Sequence, residues 1–81
     1  MKLQMQLTVK YFGLIAEVTQ CSEEQFEFSG THIYELIETV YLKYPKLKEK
    51  DFQVAQNNEI VSKDMIIKRT EIALLPPFAG G

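Results

Sequence analysis

The 81-residue chain has no tryptophan, one cysteine, one histidine and four glycines, and each shortage removes a class of function. Cys21 has no partner for an internal disulfide, so a cross-linked secreted framework is excluded and a reducing compartment is expected. The four glycines stand at positions 13, 30, 80 and 81, and none belongs to a phosphate-cradling loop. His32 has no ligand-type neighbours at metal-binding spacing, and no nucleophile with an accompanying base is visible. Apolar runs stay far short of the roughly 20 residues that cross a bilayer, and the N-terminus alternates instead of forming a signal-peptide core. A cytoplasmic protein without membrane contact is the expectation. Nine Lys and Arg against eleven Asp and Glu are scattered along the chain, which argues against nucleic acid as a partner.

What is present is one small domain. Apolar residues make up 46% and charged residues 25%, ordinary for a globular chain without repeats or linkers. Leu3, Met5, Leu7, Val9 and Tyr11 alternate with polar residues, the signature of a strand with one buried face. Gly13 breaks it, residues 14–24 read as a connection, and Phe26 and Phe28 restart a strand that ends at Ser29-Gly30, giving a hairpin. From Thr31 the period becomes helical. Ile33, Leu36, Ile37, Val40, Tyr41 and Tyr44 form one apolar stripe, with Thr31 as the expected N-cap and Pro45 as the stop.

Residues 46–50 (Lys46-Leu47-Lys48-Glu49-Lys50) read as a solvated connection. Residues 52–56 and 60–61 flank Asn57-Asn58-Glu59 and predict a second hairpin, because asparagine tolerates positive φ. Met65-Ile66-Ile67 is a short apolar patch. Glu71-Ile72-Ala73-Leu74-Leu75 predicts a last strand, central and covered on both faces, that Pro76 ends. The order predicts an α+β fold, a mixed sheet of about five strands under one main helix, with the last strand beside the first; this fits a ubiquitin-like β-grasp. Residues 1–75 are the expected domain and residues 76–81 an extended tail.

The tail carries the chemistry. Pro76 and Pro77 fix φ and bias the stem toward an extended form, while Gly80 and Gly81 carry no Cβ and fit a narrow channel. Six residues span roughly 20 Å at full extension, enough to reach a buried pocket. A terminal carboxylate with a pKa of about 3.5 is ionised and inert at neutral pH, so it must be activated before it reacts.

Lys10-Tyr11-Phe12-Gly13, the helix from Thr31, Ala55-Gln56-Asn57 and the closing run from Glu71 to Gly81 resemble the small subunits of molybdopterin synthase, a family of ubiquitin-like sulfur carriers. The resemblance covers nearly the whole chain. It implies that Gly81 is the reacting residue, adenylated at the expense of ATP and converted to a thiocarboxylate. Leu75, Pro76, Pro77, Phe78, Ala79 and Gly80 would be the partner-binding stem. It further implies an E1-like adenylating enzyme, a sulfur donor such as a cysteine desulfurase, and a large synthase subunit that takes the sulfur onto a pyranopterin precursor. The complex would be a heterotetramer. This chain would be a cosubstrate that binds no metal or cofactor, with the catalytic groups on its partners. Thiamine or tRNA thiolation, and attachment to other proteins through Gly81, use the same tail and are the alternatives. In that family a Gly-Asp pair commonly precedes the last strand; Arg69-Thr70 stands there in this chain, so the turn must be built differently.

Other residues read more plainly. Cys21 is a lone loop cysteine, His32 a surface or capping residue, and Ile33, Leu36, Ile37 and Val40 are core. Phe78 is the natural interface anchor of the stem.

Overall fold

The computed structural model describes residues 5–77. The elements run β1 (Met5–Tyr11), α1 (Leu14–Thr19), β2 (Glu23–Phe28), α2 (Ile33–Lys43), a 3₁₀ helix (Pro45–Glu49), β3 (Gln53–Gln56), β4 (Glu59–Val61) and β5 (Glu71–Leu75). The sheet order is β2-β1-β5-β3-β4. The two hairpins flank β5, which runs parallel to β1 and antiparallel to β3. One main helix on a mixed five-stranded sheet, with the last strand between the first and third, is the ubiquitin-like β-grasp.

Alternation in β1 buries Leu7, Val9 and Tyr11, and β5 adds Ile72 and Leu74 to the same face. Against it lie Ile33, Leu36, Ile37 and Val40 of α2, all at most 2% exposed. The N-cap is His32, one residue later than the expected Thr31, and the helix begins at Ile33. The Glu35 carboxylate folds back to accept the backbone N–H groups of Thr31 and His32, both at 2.9 Å, and these bonds hold its pKa down to about 2. The N–H groups of Ile33 and Tyr34 are taken by the carbonyls of Met65 and Lys63. The 63–67 segment thereby satisfies donors that a helix N-terminus leaves open.

Three expectations are corrected. The 14–24 connection contains α1, whose Ile15 and Thr19 lie one turn apart and are buried. Six residues are too few to hold a helix alone, and tertiary contact supplies what local periodicity does not show. The lysine-rich stretch is a 3₁₀ helix whose Leu47 is fully buried among residues of the core. Flanking lysines face water while the one leucine turns inward. Finally, β5 is central but covered on one face only: Ile72 and Leu74 are buried, whereas Ala73 and Leu75 lie on the other face and are half-buried.

The second hairpin closes on two residues. Asn57 and Asn58 have φ of 55° and 62°, the left-handed pair that matches the sheet's twist, and Glu59 pairs with Gln56 as the first residue of β4. Residues 62–70 return to β5 without forming a strand. Gln56 supports them with its buried amide, donating to the Ile66 carbonyl at 3.0 Å and accepting from the Lys68 N–H at 2.9 Å. That side chain does locally what a further strand would do. Of the 65–67 patch only Ile67 is buried.

One polar cluster ties the hairpin to the far end of α2. The Glu24 carboxylate accepts the hydroxyls of Tyr11 and Tyr44, each at 2.9 Å, and is ion-paired with Lys43. Burial pushes the Glu24 pKa up, but the bonds from Lys43, Tyr44 and Tyr11 outweigh it and hold the group below its ordinary value. The same contact acts in reverse on the phenols: burial first, then the Glu24 charge, raises both tyrosines above 10.

Two outcomes follow. Leu47→Ala should cost about 2–4 kcal/mol of unfolding free energy, while Lys48→Ala stays within about 0.5 kcal/mol, both read from urea denaturation. Carboxylates with depressed pKa stabilise above their ordinary value of 4.5 and lose that contribution as pH falls. Tyrosines with raised pKa stabilise below 10 and lose that contribution as pH rises. Stability should therefore fall from about pH 5 downward and again above about pH 10, and Glu35→Gln should make the acid limb shallower.

Candidate functional site: the tail root and the open sheet face

The last described residues stand where β5 leaves the middle of the sheet. The Phe12 N–H bonds the Leu74 carbonyl at 3.2 Å, Leu75 lies opposite Gln53 of β3, and Pro76, having no N–H, ends the ladder. Pro76 is half-buried and Pro77 exposed. The Pro76 ring rests on Gly13, the corner between β1 and α1. A Cβ at position 13 would lie 2.6 Å from the Pro76 Cγ. Of the sequence-predicted site, Leu75, Pro76 and Pro77 therefore occupy one end of the central strand; Phe78, Ala79, Gly80 and Gly81 lie outside the described residues.

Beside this root is the sheet face that no helix covers. A shallow depression of about 470 Å³ is lined by Phe12, Ala55, Ile60, Ala73 and Leu75, with Lys10, Glu71, Asn57 and Asn58 at its margin. Phe12 is 44% and Ile60 51% exposed, large apolar groups left in water. Lys10 and Glu71 pair at 3.3 Å and leave the centre of the patch free of unpaired charge. An apolar centre with a polar margin is the composition of a docking surface.

Sequence reasoning located the stem but missed this face. Phe12, Ala55, Ile60 and Ala73 come from four separate segments, and only the strand order brings them together. The available signal was the continuous hydrophobicity of β5, which was read as double coverage. The alternative meaning is a face reserved for another molecule. Cys21 is half-buried and unpaired, beside the core. Among the described residues no group of His, Cys, Asp and Glu is arranged to hold a metal, and no helix is long and apolar enough to cross a membrane.

Residues 9–81 match the model of the ThiS family, a span that runs from the end of β1 through β5 and the whole tail. The chain belongs to the ThiS family. Within and around that family, it is 32% identical to a molybdopterin synthase sulfur carrier subunit of Chlamydomonas reinhardtii over 95% of this chain and 100% of that protein. A putative molybdopterin converting factor subunit 1 from Pyrococcus furiosus superposes with a TM-score of 0.82 at 27% identity, covering 91% of this chain and 99% of that one. A chain of the protein–protein complex of subunits 1 and 2 of the molybdopterin-converting factor from Helicobacter pylori matches at TM-score 0.61 and 28% identity over 95% of this chain and 100% of that one.

If the open face serves docking and not folding, truncating it should leave stability nearly intact. Phe12→Ala and Ile60→Ala should each shift the unfolding free energy by less than about 1 kcal/mol, against about 2–5 kcal/mol for Leu7→Ala on the buried face, as measured by chemical denaturation.

Proposed function

We propose that this chain is the sulfur carrier subunit of a molybdopterin synthase. The observation that carries the proposal is the tail root: a Pro76-Pro77 stem leaving the central strand at the border of an uncovered apolar face. A partner that binds the face receives the tail at a defined place. Likeness to the sulfur carrier subunit of Chlamydomonas reinhardtii, over nearly the full length of both chains, supplies the reaction.

In this reading Gly81 is the reacting group and the rest of the chain delivers it. The carboxylate attacks the α-phosphate of ATP in an adenylating enzyme, releasing pyrophosphate and making a mixed anhydride. Sulfide-level sulfur from a donor then attacks the carbonyl carbon and displaces AMP to leave a thiocarboxylate; a persulfide donor forms an acyl disulfide first, which a thiol reduces to the thiocarboxylate. The charged tail enters the large synthase subunit, where its sulfur passes to a pyranopterin precursor. This chain contributes reach and orientation: glycines thin enough for a channel, prolines that keep the stem from folding back, and an apolar surface that positions the whole. The proton-transfer and anion-binding groups belong to the partners. Two small and two large subunits would make up the complete enzyme.

The intact mass of the chain, isolated from cells or after incubation with an adenylating enzyme, ATP and a sulfur donor, tests the proposal. The expected change equals replacement of one oxygen by sulfur at Gly81. Deleting Gly80 and Gly81 should abolish it while leaving the melting temperature unchanged. A chain that is adenylated yet never gains sulfur overturns the proposal, and Gly81 found joined to lysines of other proteins replaces it with a protein modifier.

A further inference from the structure

We propose that Gly13 is a positioning residue for the tail: by offering the Pro76 ring a surface without a side chain, it sets the direction in which the Pro76-Pro77 stem leaves the sheet. The inference rests on the tail being the reactive element.

Three observations converge on this residue. Its backbone has φ 58° and ψ −134°, a combination that side chains rarely adopt. The three atoms nearest to a Cβ built there all belong to Pro76, with Cγ at 2.6 Å, Cδ at 3.6 Å and Cβ at 3.9 Å. Gly13 also begins α1 without a side-chain cap, although this is the position where Ser, Asp or Asn would supply one. The residue thus forgoes a capping bond and keeps clear the space the ring occupies.

Gly13 is the fixed partner in the contact. The Gly13 carbonyl accepts the N–H groups of Ala16 and Glu17, at 3.1 and 3.4 Å, and the adjacent Phe12 is bonded to Leu74. On the other side Pro76 has no N–H to anchor it to the ladder, so its place is defined by where β5 ends and by the surface under its ring. Bringing a 2.6 Å approach to ordinary van der Waals distance requires the ring to shift by about 1 Å. Two consecutive prolines are stiff, so a shift at the first is passed on to the second. A displacement of about 1 Å at a reacting group costs up to about a hundredfold in rate.

The test is steady-state adenylation of the full chain, followed as pyrophosphate release with an adenylating enzyme that activates the wild type. Gly13→Ala should lower kcat about tenfold or more with KM within about threefold, because the docking face is untouched while the carboxylate arrives misplaced. Pro76→Ala should lower kcat about threefold to tenfold by leaving the root unseated, and adding Gly13→Ala to it should cause a much smaller further loss than in the wild type, since the clash with the ring is gone and only the backbone strain at position 13 remains. Circular dichroism and melting curves establish that each variant is folded. Native kcat in a folded Gly13→Ala chain overturns the proposal, as does a loss confined to KM or one that persists undiminished in the Pro76→Ala background. If Gly13→Ala does not fold, unchanged kcat in Pro76→Ala alone overturns it. Absence of adenylation in the wild type would instead be a failure of the sulfur-carrier reading.

Discussion

The parallel pairing of β5 with β1 is the constraint on which the rest of the molecule depends. The two hairpins lie at opposite sides of the sheet and share no ladder; only the final strand, threaded between them, joins β1 to β3. Ile72 and Leu74 then complete the surface on which α2 rests. Because contacts between the ends of a chain close the longest loop, they carry the largest entropic cost, and the side chains that meet across them must repay it. The same pairing decides where function sits. A parallel last strand points its C-terminal end toward the Tyr11 end of β1, so the tail departs next to Phe12 and Gly13 and not from a distant edge.

Much of this architecture was legible in the sequence because its signals are periodic. Alternation in β1, the α2 stripe and the paired asparagines each reflect a local geometry that repeats or has few solutions. What escaped reading is supplied by single residues acting across the fold. Leu47 is one apolar side chain among lysines, with no period to announce it. Gln56 looks like any polar strand residue until its amide is seen bonding Ile66 and Lys68. It answers the question raised by Arg69-Thr70: the approach to β5 is held from the side by an amide, without the glycine-containing turn common in the family. Glu24 was grouped with a connection, yet it joins β1, β2 and α2 through Tyr11, Tyr44 and Lys43.

The candidate site was legible in the same uneven way. A terminal diglycine behind two prolines is conspicuous in one dimension, whereas the uncovered face is assembled from Phe12, Ala55, Ile60 and Ala73 and exists only in three. The sheet's margins are guarded more simply. The outer strand β2 carries Glu23, Glu24 and Glu27, and β4 is three residues long, both unfavourable templates for pairing with another chain. Pairing along the sheet's edges is thus discouraged.

The central place of β5 has a mechanical consequence. Any enzyme that draws the tail into a channel pulls along the axis of a strand hydrogen-bonded on both sides, so the ladders to β1 and β3 are loaded together in shear. A tail attached to an edge strand would be peeled away one bond at a time under the same force. Placing the root of the tail on the innermost strand lets the chain bear a pull along that axis while its body stays folded.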